Sequence, residues 1–526
     1  MKNLSKKMMM SWLLAASLLY LSSCSKKNDP GPQLTGQSKQ FVLAPVSNAA
    51  ISGTVTFAKR NDNATLITIQ LAGTQAGETH PAHIHANTAA EGGGIVLDFT
   101  DVDGGTGKSE TVAKALNDGT PITYEELLAF DGYVNVHESA SNLGTLIAQG
   151  DIGQNELTGD TKVYTLNPVS NPAISGTATL AKRVNGETLV SIALTGTTAG
   201  VTSPAHFHEN SAAEGGGIVI DLTDVNGATG KSLTNVSKLN SGAAITYDQL
   251  LDFNGYLNVH ESETNLGTLI AQGDIGRNQL TGDSKVYTLN PVSNPAISGT
   301  ATLAKRVNGQ TLVTIALTGT TAGVISPAHF HMNSAAQGGG IVIDLTDVDG
   351  TTGKSQTSVS KFNSGTAITY DELLNYNGYL NVHLSEANLG TLIAQGDIGQ
   401  NELTGISKVY TLNSVSDPAI SGTATFAKRK SGFTLVTLSL IGTTAGGDHP
   451  AHIHANNAAA GGGIVLDLAN VNGSTGKSVK NVTQLNDATA ITYDQLIVFN
   501  GYINVHLSAA ALGTLIAQGN IGSNAP

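Results

Sequence analysis

All 14 histidines of this 526-residue chain fall in two short segments that recur four times. The first segment is an H-x-H triplet: His83 and His85, His206 and His208, His329 and His331, His452 and His454. The second closes a Y-x-N-V-H run at His137, His260, His383 and His506. Three imidazole nitrogens are a common first shell for zinc or copper, and they leave a position open for water or substrate. His80 and His449 precede the triplet in the outer copies, where the inner copies carry Ser203 and Ser326. They are candidate extra ligands, although a proline separates each from the triplet.

The elements that must position these rings read as strands. Residues i and i+2 of a strand share a face, so His83 and His85 project together while Ile84 turns away. That middle position is Phe207, Phe330 and Ile453 in the other copies, which makes it a core position and puts both imidazoles outside. The same alternation buries Val134 and Val136 and puts His137 outside. If the two strands are neighbours in one sheet, three imidazoles converge on its outer face. Surface or hydrogen-bonded histidines would give the same columns, and four copies by duplication count as one observation. The neighbouring position has drifted through Ala86, Glu209, Met332 and Ala455 while the histidines have not, which leans toward a metal site.

The copies belong to a repeat in strict register. I-S-G-T recurs at Ile51, Ile174, Ile297 and Ile420, and A-K-R at Ala58, Ala181, Ala304 and Ala427, always 123 residues apart. G-T-L-I-A-Q-G closes each unit from Gly144, Gly267, Gly390 and Gly513. The units are assigned to 38–153, 161–276, 284–399 and 407–522, joined by seven-residue connectors such as the one from Gln154. A unit of this size is a whole domain with its own core. Within it, Ile67, Ile69 and Leu71 alternate with Leu66, Thr68 and Gln70 as a half-buried strand does. One short helix is predicted after Thr123, where Thr123 and Glu126 form a capping box; Thr246 with Gln249, Thr369 with Glu372 and Thr492 with Gln495 repeat it. The expected fold is all-β: four tandem sandwich domains, each with one short helix.

Other constellations are weaker. Asp98, Asp101 and Asp103-Gly104 resemble part of a calcium loop but lack the spaced Glu, and the last unit carries Asn470 and Asn472, so a turn is the better reading. Gly92-Gly93-Gly94 leads into a strand rather than a helix, which makes it a strand-entry turn, not a phosphate cradle. Lys59 and Arg60 end a strand pattern and are expected to be solvated. No Ser-His-Asp order or paired carboxylates stand out.

Composition bounds the partners. The chain is 40% apolar and 13% charged, with 61 Gly and a formal charge of -13, which excludes a disordered chain and makes nucleic acid an unsuitable partner. Cys24 is the only cysteine and Trp12 the only tryptophan, so disulfides cannot hold the domains. Lys2, Lys6 and Lys7 precede an apolar stretch from Met8 to Leu21, shorter than the ~20 residues of a membrane span. Ser22-Ser23 before Cys24 has the form of a lipobox, making 1–23 a lipoprotein signal peptide, Cys24 the lipidated residue and 24–37 a tether. Leader and tether resemble those of Bacteroidota lipoproteins. The expected location is therefore exported and lipid-anchored to the outer membrane, on its periplasmic or surface face, with the membrane as the partner of Cys24.

The run PAHIHANTAAEGGGIVLDF, followed by GYVNVH and LGTLIAQGDIG, resembles the CHRD domain, a module named from the chordin proteins and also found in bacterial exported proteins. The resemblance spans all four units and implies an immunoglobulin-like sandwich or barrel, likened to the copper/zinc superoxide dismutase fold. The chain departs from the family's usual glycine soon after H-x-H, carrying Ala86-Asn87, Glu209-Asn210, Met332-Asn333 and Ala455-Asn456 there, with glycines later. Two functional readings follow. The favoured one is a non-catalytic, lipid-anchored string of binding or structural modules, in which linked weak sites gain avidity. The alternative is a metal-dependent, dismutase-like oxidoreductase, although a copper/zinc dismutase needs more His and Asp ligands than the middle units offer. A lectin is weaker still, since Trp is absent after residue 12.

Overall fold

The computed structural model describes residues 31–525. Cys24, Trp12 and the whole leader lie outside them, as does the first half of the tether. The chain divides into two compact units, Met1–Leu157, which holds the first repeat, and Thr158–Pro526, which holds the other three.

The second repeat shows the architecture. Its eight strands are Leu157–Pro168, Ser175–Arg183, Thr188–Thr195, Thr202–Glu209, Ile218–Asn226, Lys231–Val236, Asn254–Ser262 and Asn265–Gly276. They lie in the order 1-2-3-6-5-4-7-8, and the eighth closes on the first through Asn167 opposite Gln272 and Pro168 opposite Ala271. The third repeat closes in the same order. In the first and last repeats the fourth and fifth strands are each broken in two, so the same order opens into a ten-stranded sheet. The break in the fourth strand falls at Pro81 and Pro450, although the equivalent Pro204 and Pro327 lie inside an unbroken strand in the inner repeats.

Alternation builds the core. Val190, Ile192 and Leu194 of the third strand, Phe207 of the fourth and Leu257 and Val259 of the seventh meet inside the second barrel. Phe207 and Val259 are fully buried, and truncating such a side chain costs about 3–5 kcal/mol for Phe. The helix Tyr247–Leu251 is a single capped turn. Thr246 accepts from the Gln249 N–H while the Gln249 side chain reaches back, and Leu250 plugs the core. All four predicted capping boxes form.

The alternation also places the two histidine segments side by side. The fourth and seventh strands pair antiparallel, with His206 opposite Asn258 and His208 opposite Tyr256, and the equivalent strands pair likewise in the other repeats. A register shift near His260 against the eighth strand turns that ring toward the other two. Only three residues, 277–279, separate the eighth strand from the first strand of the next repeat, because that strand already begins at Leu280.

Candidate metal centre

Each repeat gathers one ring nitrogen from each of three histidines within 4.8 Å: His83, His85 and His137; His206, His208 and His260; His329, His331 and His383; His452, His454 and His506. Ring centroids of the first and third members stand 5.0–5.2 Å apart in all four. The middle residue of each H-x-H triplet is fully buried in the core, so the imidazoles do sit on the outside of the barrel wall. They are nevertheless not open to solvent. His85 and His137 keep only 8% and 7% of their surface, because two loops fold over them.

The loops act through backbone carbonyls. His85 Nδ1 donates to Gly93 O at 2.9 Å and His137 Nδ1 donates to Leu143 O at 2.6 Å. A carbonyl can only accept, so each Nδ1 carries the proton and each neutral ring presents its Nε2 lone pair inward. The same bonds recur at 2.5–3.0 Å in the other three repeats. This is the outer-shell arrangement that fixes a metal-ligating histidine. The turn supplying the second carbonyl differs, a hairpin in the first two repeats and a short 3-10 turn in the last two, yet the bond is kept. His83 is flipped instead: its Nε2 faces Asp98 Oδ1 at 3.6 Å, and the equivalent pairs stand at 3.7–3.9 Å.

What remains is a set of buried nitrogens without partners. His83 Nδ1, His85 Nε2 and His137 Nε2 have no hydrogen-bond partner, nor do the three equivalent atoms of the second and third repeats. A buried polar atom left unmatched costs about 1–3 kcal/mol, so three converging in one place call for an occupant. In the last repeat His452 Nδ1 and His506 Nε2 approach to 3.1 Å. Burial, together with repulsion from a neighbouring imidazole, holds His83 and His206 below their ordinary value of 6.5. Burial likewise depresses His137, His208, His329, His331 and His452, keeping the rings in the neutral form that binds metal.

His80 and His449 lie outside these groups. Both are buried, and each donates from Nδ1 to a backbone carbonyl, Glu138 O and Leu507 O, at 2.8 Å. Ser203 and Ser326 hold the equivalent carbonyls at 3.2 Å in the inner repeats. Asp103 and Asp349 close turns by accepting from Thr106 and from Thr351 and Thr352, as the turn reading expected.

Several residues of the cover were missed in the sequence. Gly93, in the middle of the glycine run, supplies the carbonyl for His85, and a Cβ there would lie 2.0 Å from Ala86 O. Its backbone N–H donates to Tyr133 Oη, and the Tyr133 ring stacks on His85 at 5.0 Å. Asn87, Asn210, Asn333 and Asn456 take φ values of 65–68°, the left-handed conformation that Asn tolerates better than most side chains. Further along, Asp151 Oδ1 accepts from the Ala89 N–H at 2.8 Å and Asn155 Nδ2 donates to Asn87 O at 2.9 Å, pinning the loop from the end of the eighth strand and the turn after it. The signal was the perfect recurrence of the Gly, Asn and Gly-Asp/Asn-Ile-Gly positions around drifting neighbours.

The expectation that Lys59 and Arg60 are solvated needs correction. Lys59 pairs with Glu125, and Arg60 is half-buried against Asp62 at 3.1 Å. The equivalent Arg183, Arg306 and Arg429 are fully buried. For Arg306 and Arg429 the charge at the end of a strand pattern signalled solvent because the acceptors lie 32 residues back along the chain.

The CHRD domain model matches residues 33–147, 154–270 and 277–393. The chain belongs to the CHRD-domain family. No curated protein matches it. Among solved structures, it is similar to a biofilm-associated protein BSP domain at 12% identity and a TM-score of 0.15, with 98% of this chain and 100% of that one covered. Among the described residues, no helix is long and apolar enough to cross a membrane.

Proposed function

We propose that this CHRD-family protein is a lipid-anchored envelope protein whose four modules each hold one divalent transition metal, zinc or copper, in a three-histidine site. The observation that carries the reading is the triad of buried ring nitrogens, without partners among the described residues in the first three repeats, with the opposite nitrogens of two rings tied to carbonyls in all four. Residues 403–522 repeat the strand order and the triad of the first repeat, which supports counting them as a fourth CHRD module. The donors fit zinc or copper and do not fit magnesium or calcium, which take oxygen. The near closure of the site favours a structural or binding role over turnover of a sizeable substrate. The anchor rests on the lipobox-like leader at Cys24, and fourfold repetition on one tether supports avidity toward an envelope ligand.

Elemental analysis of the purified full chain tests this. Near-stoichiometric zinc or copper is expected at each triad, and His83→Ala/His85→Ala should remove one equivalent while the other three stay. No metal above background after reconstitution would overturn the reading.

A further inference from the structure

We infer that Arg306 and Arg429 are positioning residues for the histidine triad of the repeat preceding each of them, so that the sites of the second and third repeats are completed by their neighbour. The inference rests on the metal reading above.

The loop covering the second site runs from Asn210 to Gly217, and its Gly216 carbonyl holds His208 Nδ1 at 3.0 Å. Two residues, one near the end of the eighth strand and one just beyond it, pin this loop. Asp274 Oδ1 accepts from the Ala212 N–H at 2.9 Å, and Asn278 Nδ2 donates to Asn210 O at 2.5 Å. Arg306, from the second strand of the next repeat, touches both pins: its Nη1 donates to Asp274 Oδ2 at 2.6 Å and to Asn278 O at 2.5 Å. Arg429 does the same one repeat later, donating to Asp397 Oδ2 at 2.8 Å and to Asn401 O. There Asp397 Oδ1 accepts from the Ala335 N–H at 2.8 Å, and Asn401 Nδ2 holds Asn333 O at 2.6 Å. The carboxylate is thus shared, with one oxygen on the cover loop and the other on the following repeat's guanidinium. A charge-assisted bond to a fully buried arginine fixes the carboxylate's orientation, and through it the loop carbonyl that sets the histidine's tautomer and angle.

The last repeat supplies the contrast. Asn520 stands where Asp274 and Asp397 stand, and its Oδ1 accepts from the Ala458 N–H at 2.9 Å. Asn524 holds Asn456 O at 2.9 Å. Here the loop is pinned by an amide, which needs no cation to offset it.

The test uses the full chain reduced to one site by His83→Ala/His85→Ala, His329→Ala/His331→Ala and His452→Ala/His454→Ala, leaving the second triad. Cobalt(II), whose visible absorption reports imidazole coordination, is titrated in and competed with zinc. Arg306→Ala should weaken binding about tenfold, within the range usual for outer-shell changes at metal ligands, and shift the cobalt spectrum. Arg306→Lys should recover part of the loss, and Lys305→Ala should leave it unchanged. Asp274→Asn, which keeps the Ala212 acceptor and removes the charge, provides a second variant that disturbs packing little and should weaken binding several-fold. Unchanged affinity in both Arg306→Ala and Asp274→Asn would overturn the inference while leaving the metal site standing. Failure of the single-site parent to bind cobalt would overturn the metal reading and this inference with it.

Discussion

The first and third repeats carry the same triad under the same cover, yet they treat one arginine in opposite ways. Arg60 stays half-buried and pairs with Asp62, two residues on in its own repeat, and Lys114 joins the same carboxylate at 3.1 Å. Arg306 is fully buried and pairs with Asp274 of the repeat before it. The position of Asp62 is Asn185, Asn308 and Ser431 elsewhere, so the acid two residues after the arginine belongs to the first repeat alone. The difference teaches that the histidine triad is the fixed part of the module and the ion pairs around it are adjusted to their neighbours.

Removing the buried arginine is the strongest way to break this contrast. Arg429→Ala strands Asp397 and should cost about 3–5 kcal/mol of stability in the third and fourth repeats, read by denaturant unfolding. Arg60→Ala should cost far less, since Arg60 itself is only half-buried and Lys114 still pairs with Asp62. Equal costs would mean that the two settings do not differ.

A smaller effect sharpens the comparison among the buried arginines themselves. Arg183 and Arg429 donate from Nε to Asn235 and Asn481 at 2.7 and 2.6 Å. The third repeat has Ser358 there, and both Arg306 Nε and Ser358 Oγ lack a partner among the described residues. Ser358→Asn should therefore stabilise the third repeat by about 1 kcal/mol, seen as a higher unfolding midpoint. No gain would show that the amide cannot reach the guanidinium.

The smallest effect concerns acid. Desolvation raises the Asp62 carboxyl, but hydrogen bonds from Lys114 and Arg60 outweigh it and pull the carboxyl from 3.8 down to about 2. A lowered carboxylate stabilises the fold above its unfolded value, so this contribution is complete above about pH 4 and is lost as the pH falls through about 2. Carboxyl titration by NMR should place the Asp62 midpoint near 2 and, in Arg60→Ala, closer to 3.8. An unmoved midpoint in the variant would assign the shift to Lys114 alone.

Much of the fold was legible because it depends on local pattern. Period-2 alternation located Ile67 to Leu71 and its copies as strands, and Thr123 with Glu126 located the helix turn. The outward facing of the H-x-H and N-V-H rings followed from the apolar middle residue and from Val134 and Val136, whereas the pairing of the two strands entered only as a condition that the structure meets. Burial of the rings was not legible. Parity says only that His85 and His137 face away from the core, whereas the loops that cover them are placed by Gly93, Leu143 and Asp151, each set by backbone geometry rather than by hydropathy. The buried arginines escaped for a related reason. Asp274 lies 32 residues before Arg306, and no periodic pattern links the two.

Anomalous diffraction at the zinc or copper edge, on crystals of the reconstituted full chain, tests the central claim most directly. The account predicts a peak in each triad, bounded by the Nδ1 of His83, His206, His329 or His452 and by the Nε2 atoms of the two histidines beside it. Peaks absent from the triads, or sited elsewhere on the chain, would contradict it.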